Sequence, residues 1–321
     1  MPRALVTGGA GFIGSYLVDR LMKEGYGVTV LDNLSSGSLD NLKEWLRNPR
    51  FKFVKEDLKD AHAIKTRLGQ VELVFHLAAN PEVKVGETGP RIHFNENLVA
   101  TFNLLEAIRR NRTVKAVVFA STSTVYGEAS KIPTPENYGP LIPISTYGAS
   151  KLGCEALICS HAFAFGLRAL ILRFANVVGP RSNHGIIMDF INNLKSNPRK
   201  LKILGDGSQR KSYVYIQDCV EAIMLATDSF LKSRDRVQVF NVGSADWITV
   251  KRIADVVVKE LGLENVKISF TGGVDGGRGW LGDVKMMRLS IDRLLNAGWR
   301  PRYNSEEAVR LTTKDIVRCR P

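Results

Sequence analysis

The chain opens with a short apolar run that ends in a glycine turn, Ala4-Leu5-Val6-Thr7-Gly8-Gly9-Ala10-Gly11-Phe12-Ile13-Gly14, and a stretch with helical spacing follows from Tyr16 to Met22. A strand, a glycine turn and a helix in this order typically bind a dinucleotide at the edge of a parallel sheet. Gly8 permits the tight turn, Gly11 lets the backbone approach a pyrophosphate, and Gly14 lets the helix pack on the strand. The free N–H groups at the start of the helix then face the phosphates.

A second strand, Val28-Thr29-Val30-Leu31, ends at Asp32, which lies 18 residues after Gly14. A carboxylate at this place binds both hydroxyls of the adenosine ribose and repels a 2′-phosphate, so the pattern favours NAD over NADP. The alternative is a simple glycine turn followed by an Asp that opens a loop. The order of strand, helix, strand and Asp favours the cofactor site.

The centre of the chain carries a hydroxyl-rich run, Ser121-Thr122-Ser123-Thr124-Val125-Tyr126, followed by Tyr147-Gly148-Ala149-Ser150-Lys151. Positions i and i+4 of a helix share one face, so Tyr147 and Lys151 can meet. A free Tyr has a pKa of about 10 and is a poor base at neutral pH. A neighbouring ammonium and a cationic nicotinamide would lower the Tyr147 pKa toward neutrality. The pattern predicts proton removal from an alcohol during hydride transfer.

Composition bounds the class of protein. The chain has 321 residues, 44% hydrophobic and 24% charged, which is ordinary for a globular protein with room for two lobes. No run approaches the roughly 20 apolar residues that span a membrane. A strand begins at residue 4 where a secreted protein would have a signal peptide, so we expect a cytoplasmic protein without a membrane partner.

Charge and cysteine usage exclude further classes. The formal net charge is +13, but the basic residues are scattered, which indicates a solvated basic surface suited to an anionic substrate and no nucleic-acid partner. The cysteines have no CxxC spacing and no nearby His cluster, so we expect reduced thiols and no metal site. They are Cys154, Cys159, Cys219 and Cys319.

The order of elements predicts an α/β fold, a doubly wound parallel sheet (Rossmann) with a smaller, interwoven C-terminal lobe. Strands and helices alternate to about Arg173, and shorter elements with Pro and Gly follow. We expect a cofactor domain over residues 1–173, with about 214–243 returning to its sheet. Residues 174–321 should then form the substrate lobe, mainly 174–213 and 244–321.

Several motifs in one order resemble the extended short-chain dehydrogenase/reductase superfamily, in particular its NAD-dependent nucleotide-sugar epimerases. The branch that the chain resembles most is the UDP-glucose (UDP-galactose) 4-epimerases. The resemblance runs nearly end to end. Beyond the segments above, it rests on Phe75-His76-Leu77-Ala78-Ala79, Asn97-Leu98-Val99-Ala100-Thr101, Leu172-Arg173-Phe174-Ala175-Asn176-Val177-Val178-Gly179-Pro180-Arg181, Gly205-Asp206-Gly207-Ser208-Gln209 and Gly282-Asp283-Val284.

The resemblance implies a reaction and a cofactor site. Tyr147 takes the proton of the sugar 4-hydroxyl, directly or through Thr122, Lys151 holds the nicotinamide ribose, and hydride returns to the opposite face of a 4-keto intermediate. NAD is tightly bound and not consumed. The residues assigned to NAD are Gly8, Gly11, Phe12, Ile13, Gly14, Asp32, Asn33, Ser35, Ser36, Gly37, Asp57, Leu58, Leu77, Ala78, Ala79, Asn97, Tyr147 and Lys151.

Ser123 and Thr124 discriminate among related reactions. Sugar-nucleotide dehydratases that resemble this chain carry Asp-Glu there, because expelling water requires an acid and a base. Hydroxyl groups at both positions favour epimerisation with nothing eliminated. Two alternatives stay open: another enzyme of this superfamily acting on a different nucleotide sugar, as an epimerase or a net reductase, and a non-catalytic RNA-binding relative.

The resemblance also implies a UDP-sugar site and a partner. Relatives have an Arg where Lys211 stands and another Arg where Trp280 stands, so Arg210 or Arg278 is an alternative ligand of the diphosphate. Met287 leaves acceptance of N-acetylhexosamines open. In relatives the helix from Tyr147 to Ala164 forms a homodimer interface, here with Leu152, Ala156, Cys159 and Phe163; a monomer that buries this stripe is the alternative. The substrate residues are Thr122, Tyr147, Asn176, Gly185, Ile186, Lys202, Ile203, Arg210, Lys211, Arg278 and Asp283.

Overall fold

The computed structural model describes residues 1–65, 68–111 and 113–319. Its strands are β1 (Arg3–Thr7), β2 (Gly27–Asp32), β3 (Phe51–Lys55), β4 (Leu73–His76), β5 (Ala116–Thr122), β6 (Arg168–Phe174), β7 (Asn176–Val178), β8 (Lys200–Ile203), β9 (Arg210–Lys211), β10 (Tyr213–Tyr215), β11 (Val237–Val242), β12 (Ile248–Thr249), β13 (Lys267–Phe270) and β14 (Met286–Met287).

The α-helices are α1 (Phe12–Lys23), α2 (Ala61–Lys65), α3 (Arg91–His93), α4 (Ala100–Arg110), α5 (Thr146–Phe165), α6 (Ile186–Ser196), α7 (Ile216–Lys232), α8 (Val250–Glu260), α9 (Asp292–Asn296) and α10 (Ser305–Cys319). Short 3₁₀ turns cover Leu39–Leu42, Val83–Glu87 and Ser123–Tyr126. A π-helical turn, Phe94–Val99, joins α3 to α4.

Seven parallel strands form the central sheet in the order β11-β6-β5-β4-β1-β2-β3. Strand β1 pairs with β2 on one side and with β4 on the other, so that Leu5 lies beside both Thr29 and Val74. The strand order therefore reverses between β1 and β4, where open α/β sheets bind their ligands. The predicted doubly wound parallel sheet is confirmed. Apart from Arg3, every residue of β1 and β4 is buried, as in a sheet covered on both faces.

The first of two compact units comprises Met1–Thr122, Thr146–Arg173 and Ile223–Phe240. Apolar side chains of the sheet pack against those of α4 and α5 in one cluster. Fully buried members of this cluster include Leu5, Val74, Leu104, Phe119, Ile158 and Ile171.

The second unit comprises Ser123–Ser145, Phe174–Ala222 and the chain from Asn241 onward. It contains three small sheets, with orders β10-β7, β12-β9-β14 and β13-β8. Helix α10 packs on α8 and β10. This unit consequently has its own core, with Leu201, Val214, Ile253, Val257, Leu294 and Val309 buried.

The division differs from the predicted boundaries in two places. Residues 123–145, expected in the first domain, belong to the second unit, where Tyr126 Oη donates to Asn241 Oδ1 (2.8 Å) and Asn241 N donates to Glu136 Oε1 (2.9 Å). The return to the central sheet was predicted for residues 214–243. Of the two strands there, β10 pairs with β7 and β11 joins the central sheet, so the return begins later than predicted.

Candidate active site

The glycine turn after β1 packs too closely for side chains. Gly8 has φ +69°, and a Cβ there would lie 2.7 Å from Ala78 N. A Cβ on Gly14 would lie 2.1 Å from Gly8 O, closer than any real contact. These two positions therefore require glycine, one for the turn and one for the approach of α1 to the strand.

The first turn of α1 offers unpaired N–H groups. Gly11 is the N-cap and has no side chain to accept a hydrogen bond from the turn. The N–H groups of Phe12, Ile13 and Gly14 are thus left for a ligand at the positive end of the helix. This arrangement fits a pyrophosphate, as predicted from the glycine spacing.

The Asp32 carboxylate ends β2 and is held by the backbone on both sides. Its Oδ2 accepts from Ala10 N (2.9 Å) and its Oδ1 accepts from Leu34 N (2.8 Å). Burial raises the Asp32 pKa above its usual range, and these two N–H groups oppose that effect. Each oxygen keeps a further lone pair, so the group can still accept from ribose hydroxyls.

The loop after Asp32 joins the segment after β3. Asn33 Nδ2 donates to Asp57 Oδ2 (3.0 Å), and Asn33 Oδ1 accepts from Ser35 N (2.9 Å). Gly37 lies against Ala10, where a Cβ would be 2.7 Å from Ala10 C. The structure thereby brings together the turn, the Asp32–Gly37 loop and Asp57–Leu58, all of which were assigned to the NAD site.

Asn97, which was assigned to the NAD site, links neighbouring segments of the first unit. It is buried in the π-helical turn, its Oδ1 accepts from Asn80 N (2.7 Å), and its Nδ2 donates to Ser150 Oγ (2.9 Å). Its amide therefore holds the segment after Leu77-Ala78-Ala79 to α5. We expect Asn97 to support the cofactor site through these neighbours.

Strand β5 and helix α5 bring together the three predicted catalytic residues. The Thr122 hydroxyl hydrogen-bonds the Tyr147 side chain. Lys151 Nζ donates to Ala120 O (2.8 Å) and lies 4.8 Å from the centre of the Phe119 ring. The end of β5 consequently aligns the hydroxyls of Thr122 and Tyr147. It also holds the ammonium of Lys151, which lies one helical turn after Tyr147 on α5.

Burial dominates the pKa values of both Tyr147 and Lys151. Burial raises the Tyr147 pKa well above its usual value, whereas the hydrogen bond from Thr122 lowers it by less. Burial also lowers the pKa of Lys151 to about 8, although Cys154 and Glu155 oppose the effect. The expected fall of the Tyr147 pKa, which was ascribed to Lys151 together with a cationic nicotinamide, therefore stays a prediction.

A buried ion pair next to these residues was not predicted. Glu155 accepts from Arg173 Nε (3.0 Å) and Nη2 (2.7 Å), and also from Ser121 Oγ (2.5 Å). Glu155 follows Lys151 by one helical turn, and Ser121 precedes Thr122. Glu155 is the only charged residue between Leu152 and Cys159 of α5, and this is the signal that could have indicated the pair.

In the second unit, three predicted substrate residues lie together. Lys211 Nζ donates to Asp283 Oδ1 (2.5 Å), and Arg278 Nη1 donates to Asp283 O (2.8 Å). Lys211 Nζ also lies 5.6 Å from the centre of the Trp280 ring, and Arg278 pairs with Glu128. Lys211 and Arg278 therefore flank Asp283 and could meet a diphosphate together.

Arg210 does not join this group. Successive residues of a strand point to opposite faces, and the Arg210 guanidinium lies 5.8 Å from the centre of the Trp247 ring.

The other predicted substrate residues lie on separate elements of the second unit. Asn176 Nδ2 donates to Ser212 O (3.3 Å), and Gly185, with φ +94°, caps α6 before Ile186. On β8 Lys202 is exposed and Ile203 is buried.

Three further findings concern other kinds of site. In residues 1–65, 68–111 and 113–319 no group of three or more His, Cys, Asp or Glu side chains could hold a metal ion. Within the same ranges, no helix combines the length and apolarity that a membrane span requires. Cys154, Cys159 and Cys219 are free thiols, and the Cys319 side chain lies outside the described part.

Comparison with known proteins gives similarity over the whole chain. The profile of the NAD dependent epimerase/dehydratase family matches residues 4–243. A protein of Methanocaldococcus jannaschii, named putative UDP-glucose 4-epimerase, is 32% identical over 311 residues, 95% of each chain. A crystal structure of a UDP-galactose 4-epimerase has 45% identity and a TM-score of 0.87, covering 99% of this chain and 100% of that one.

The similarity is not confined to one named activity. UDP-glucuronic acid decarboxylase 6 of Arabidopsis thaliana is 31% identical over 323 residues, which cover 98% of this chain and 88% of that protein. A choice among these activities therefore depends on the side chains of the site.

Proposed function

Because the chain belongs to the NAD dependent epimerase/dehydratase family, we propose that it is an NAD-dependent 4-epimerase that interconverts UDP-galactose and UDP-glucose. The observation that carries the proposal is the Thr122–Tyr147 hydrogen bond at the end of β5, followed in the chain by Ser123 and Thr124 in place of carboxylates. These residues can move one proton reversibly. Without a carboxyl group at either position, they have neither the acid nor the base for expelling water.

The first unit fits NAD. The uncapped first turn of α1 would hold the pyrophosphate, Asp32 the adenosine ribose, and Lys151 the nicotinamide ribose. Bound NAD supplies reversible hydride transfer at carbon 4 of the sugar. Asp32 favours this cofactor over its 2′-phosphorylated form because two carboxylate oxygens would face the added phosphate.

Tyr147 would accept the proton of the sugar 4-hydroxyl and later return it. Thr122, hydrogen-bonded to Tyr147, would orient the 4-oxygen or relay the proton. The positive charge of Lys151 would favour the phenolate when the 4-hydroxyl loses its proton. Since the acceptor and the donor are the same group, the reaction ends with the protein in its starting state.

The buried Glu155 carboxylate on α5 does not supply the acid or base that decarboxylation or dehydration would need. Glu155 lies two helical turns after Tyr147, but both of its oxygens accept from Arg173 and one also accepts from Ser121. A carboxylate held in this way is a poor proton carrier. This engagement supports epimerisation over a reaction that eliminates a group.

The second unit would bind the UDP moiety. Lys211 and Arg278 flank Asp283, and we propose that they take the diphosphate together in place of the Arg residues found in relatives. Lys is a point charge without the two-pronged geometry of Arg, so a pair of cations compensates for it. Met287, buried on β14, would leave room for the sugar 2-substituent to vary.

The experiment is turnover without added cofactor. The purified chain should convert UDP-galactose to UDP-glucose, followed by the anomeric protons in NMR, until a fixed ratio is reached, because NAD remains bound through each cycle. If turnover occurs only after NAD is added, the retention of NAD is contradicted but the epimerase assignment is not. If UDP-galactose stays unchanged in both cases while UDP-N-acetylglucosamine or UDP-glucuronic acid reacts, the hexose assignment is wrong.

We also propose a homodimer formed through α4 and α5. The stripe of Leu152, Ala156, Cys159 and Phe163 is not buried within the chain, and Phe163 is 66% exposed. On α4, Phe102 is 45% exposed. Apolar side chains on two adjacent helices favour a partner that covers them.

Light scattering should give a mass twice that of one chain for the natural protein. The Phe163→Glu variant should have the mass of a single chain. Leu46→Glu is the matched control, since Leu46 is 48% exposed but lies on neither helix. A single-chain mass for the natural protein would refute the dimer.

A further inference from the structure

His93 is a buried residue for which the proposed reaction has no direct use. It ends α3 and is 0% exposed. Its ring lies edge-on to the ring of Tyr147, with the ring centres 5.6 Å apart and the planes at 65°. An imidazole therefore supports one side of the phenol ring.

The hydrogen bonds of His93 define its protonation. Nε2 lies 3.1 Å from Glu82 O, and a carbonyl oxygen can only accept, so Nε2 carries the hydrogen. Burial lowers the His93 pKa, although Glu82 and Glu96 oppose the effect, so the ring is neutral at physiological pH. Nδ1 then has a free lone pair and accepts from the Thr146 hydroxyl at 2.9 Å.

Gly86 closes the space around this bond. A Cβ at Gly86 would lie 2.0 Å from Thr146 Oγ1 and 2.9 Å from His93 Nδ1. The hydroxyl and the imidazole are consequently packed against a backbone that leaves no room for even one methyl group. Thr146 has little freedom to move away from Nδ1.

Thr146 is the first residue of α5, and Tyr147 is the second. Fixing the Thr146 side chain fixes the start of the helix, and the imidazole ring limits where the phenol can turn. On the other side, Thr122 hydrogen-bonds Tyr147. The phenol is thus held between a strand end and a buried imidazole.

We propose that His93 is a positioning residue for Tyr147: through Thr146 and through ring contact it holds the phenol in line with Thr122. The inference rests on the proposed function, because it assigns Tyr147 the proton transfer. His93 itself exchanges no proton with the substrate. Its effect belongs in kcat, since a displaced phenol still permits the sugar nucleotide to bind.

The test uses the full-length protein and a matched pair of variants. Thr146→Val keeps the shape and removes the donor, whereas Thr146→Ser keeps the hydroxyl. The residue is exposed as a whole, so both variants should fold. We expect Thr146→Val to lower kcat for UDP-galactose about tenfold, with KM and bound NAD unchanged, because a misplacement of about 1 Å can cost about a hundredfold. Thr146→Ser should retain the natural kcat.

A second variant examines the other end of the bond. His93→Phe keeps a ring beside Tyr147 but has no acceptor, and it should lower kcat to a similar degree. When His93→Phe is combined with Thr146→Val, kcat should fall little further, because both changes remove the same hydrogen bond. Two losses that multiply in full would overturn the proposed route through the His93–Thr146 bond.

The outcomes separate the two hypotheses. If the natural chain epimerises UDP-galactose and Thr146→Val keeps its kcat within twofold, the positioning role is wrong while the proposed function stands. If Thr146→Val lowers only the melting temperature and kcat per bound NAD is unchanged, the contact is merely structural and the inference is also wrong. If the natural chain epimerises no UDP-hexose, the proposed function fails and this inference fails with it.

Discussion

The Tyr147→Phe variant is expected to turn over UDP-galactose about a thousandfold more slowly than the natural chain, within the range typical for loss of a general acid–base group. The change removes one hydroxyl group and keeps the ring that contacts His93. KM and bound NAD should therefore stay nearly the same. The loss appears in kcat because the hydroxyl is needed only while the proton moves.

The measurement is the rate at which UDP-glucose anomeric signals appear in NMR. Tyr138→Phe is the matched control, since its hydroxyl interacts with Ser130 outside the first unit and should not affect the rate. A Tyr147→Phe variant that keeps a tenth or more of the natural kcat would show that another group carries the proton. Loss of activity in both Tyr variants would indicate a general effect on folding.

Arg173→Met is expected to lower the free energy of unfolding by about 3–5 kcal/mol, since it leaves the Glu155 carboxylate buried without its partner. The Arg173 and Glu155 side chains are each 6% exposed, and Nε and Nη2 of Arg173 both donate to the carboxylate. A carboxylate at this depth that keeps only the hydrogen bond from Ser121 is costly because water cannot solvate it. Denaturant unfolding followed by circular dichroism measures the difference.

Two further variants define the result. Arg252→Met removes another two-pronged pair, with Glu306, but Arg252 is 51% exposed, and such pairs contribute at most about 1 kcal/mol. Glu155→Gln combined with Arg173→Met should recover part of the loss, because the amide is neutral and its oxygen can still accept from Ser121. An Arg173→Met variant as stable as Arg252→Met would refute the importance of the buried pair.

Local patterns made much of the site predictable. The glycine turn and Asp32 lie within one strand–helix–strand unit, and the order of these elements determines where each group is placed. Tyr147 and Lys151 are four residues apart on one helix, so their common face follows from helical geometry. The parallel sheet could be predicted in the same way, because strands such as β4 and β5 are nearly continuous apolar runs.

Long-range contacts explain the differences. Nothing in residues 123–145 indicates that Glu136 accepts from Asn241 N, 105 residues later, and this contact helps to place the segment in the second unit. Arg173 and Glu155 are 18 residues apart on a strand and a helix. The high pKa of Tyr147 arises from burial, which spacing alone does not reveal. Each of these features depends on how separate elements pack, which local sequence patterns do not reveal.

The late arrival of β11 has a consequence for synthesis on the ribosome. Strand β6 ends at Phe174, but its neighbour β11 begins only at Val237. At the usual rate of translation the nascent chain waits on the order of 3 to 13 seconds between the two. During that time β6, with six of its seven residues apolar or destined for burial, exposes an unpaired edge that can template aggregation. Chaperone demand should therefore peak before Val237 emerges, and truncated chains that stop short of this residue should precipitate.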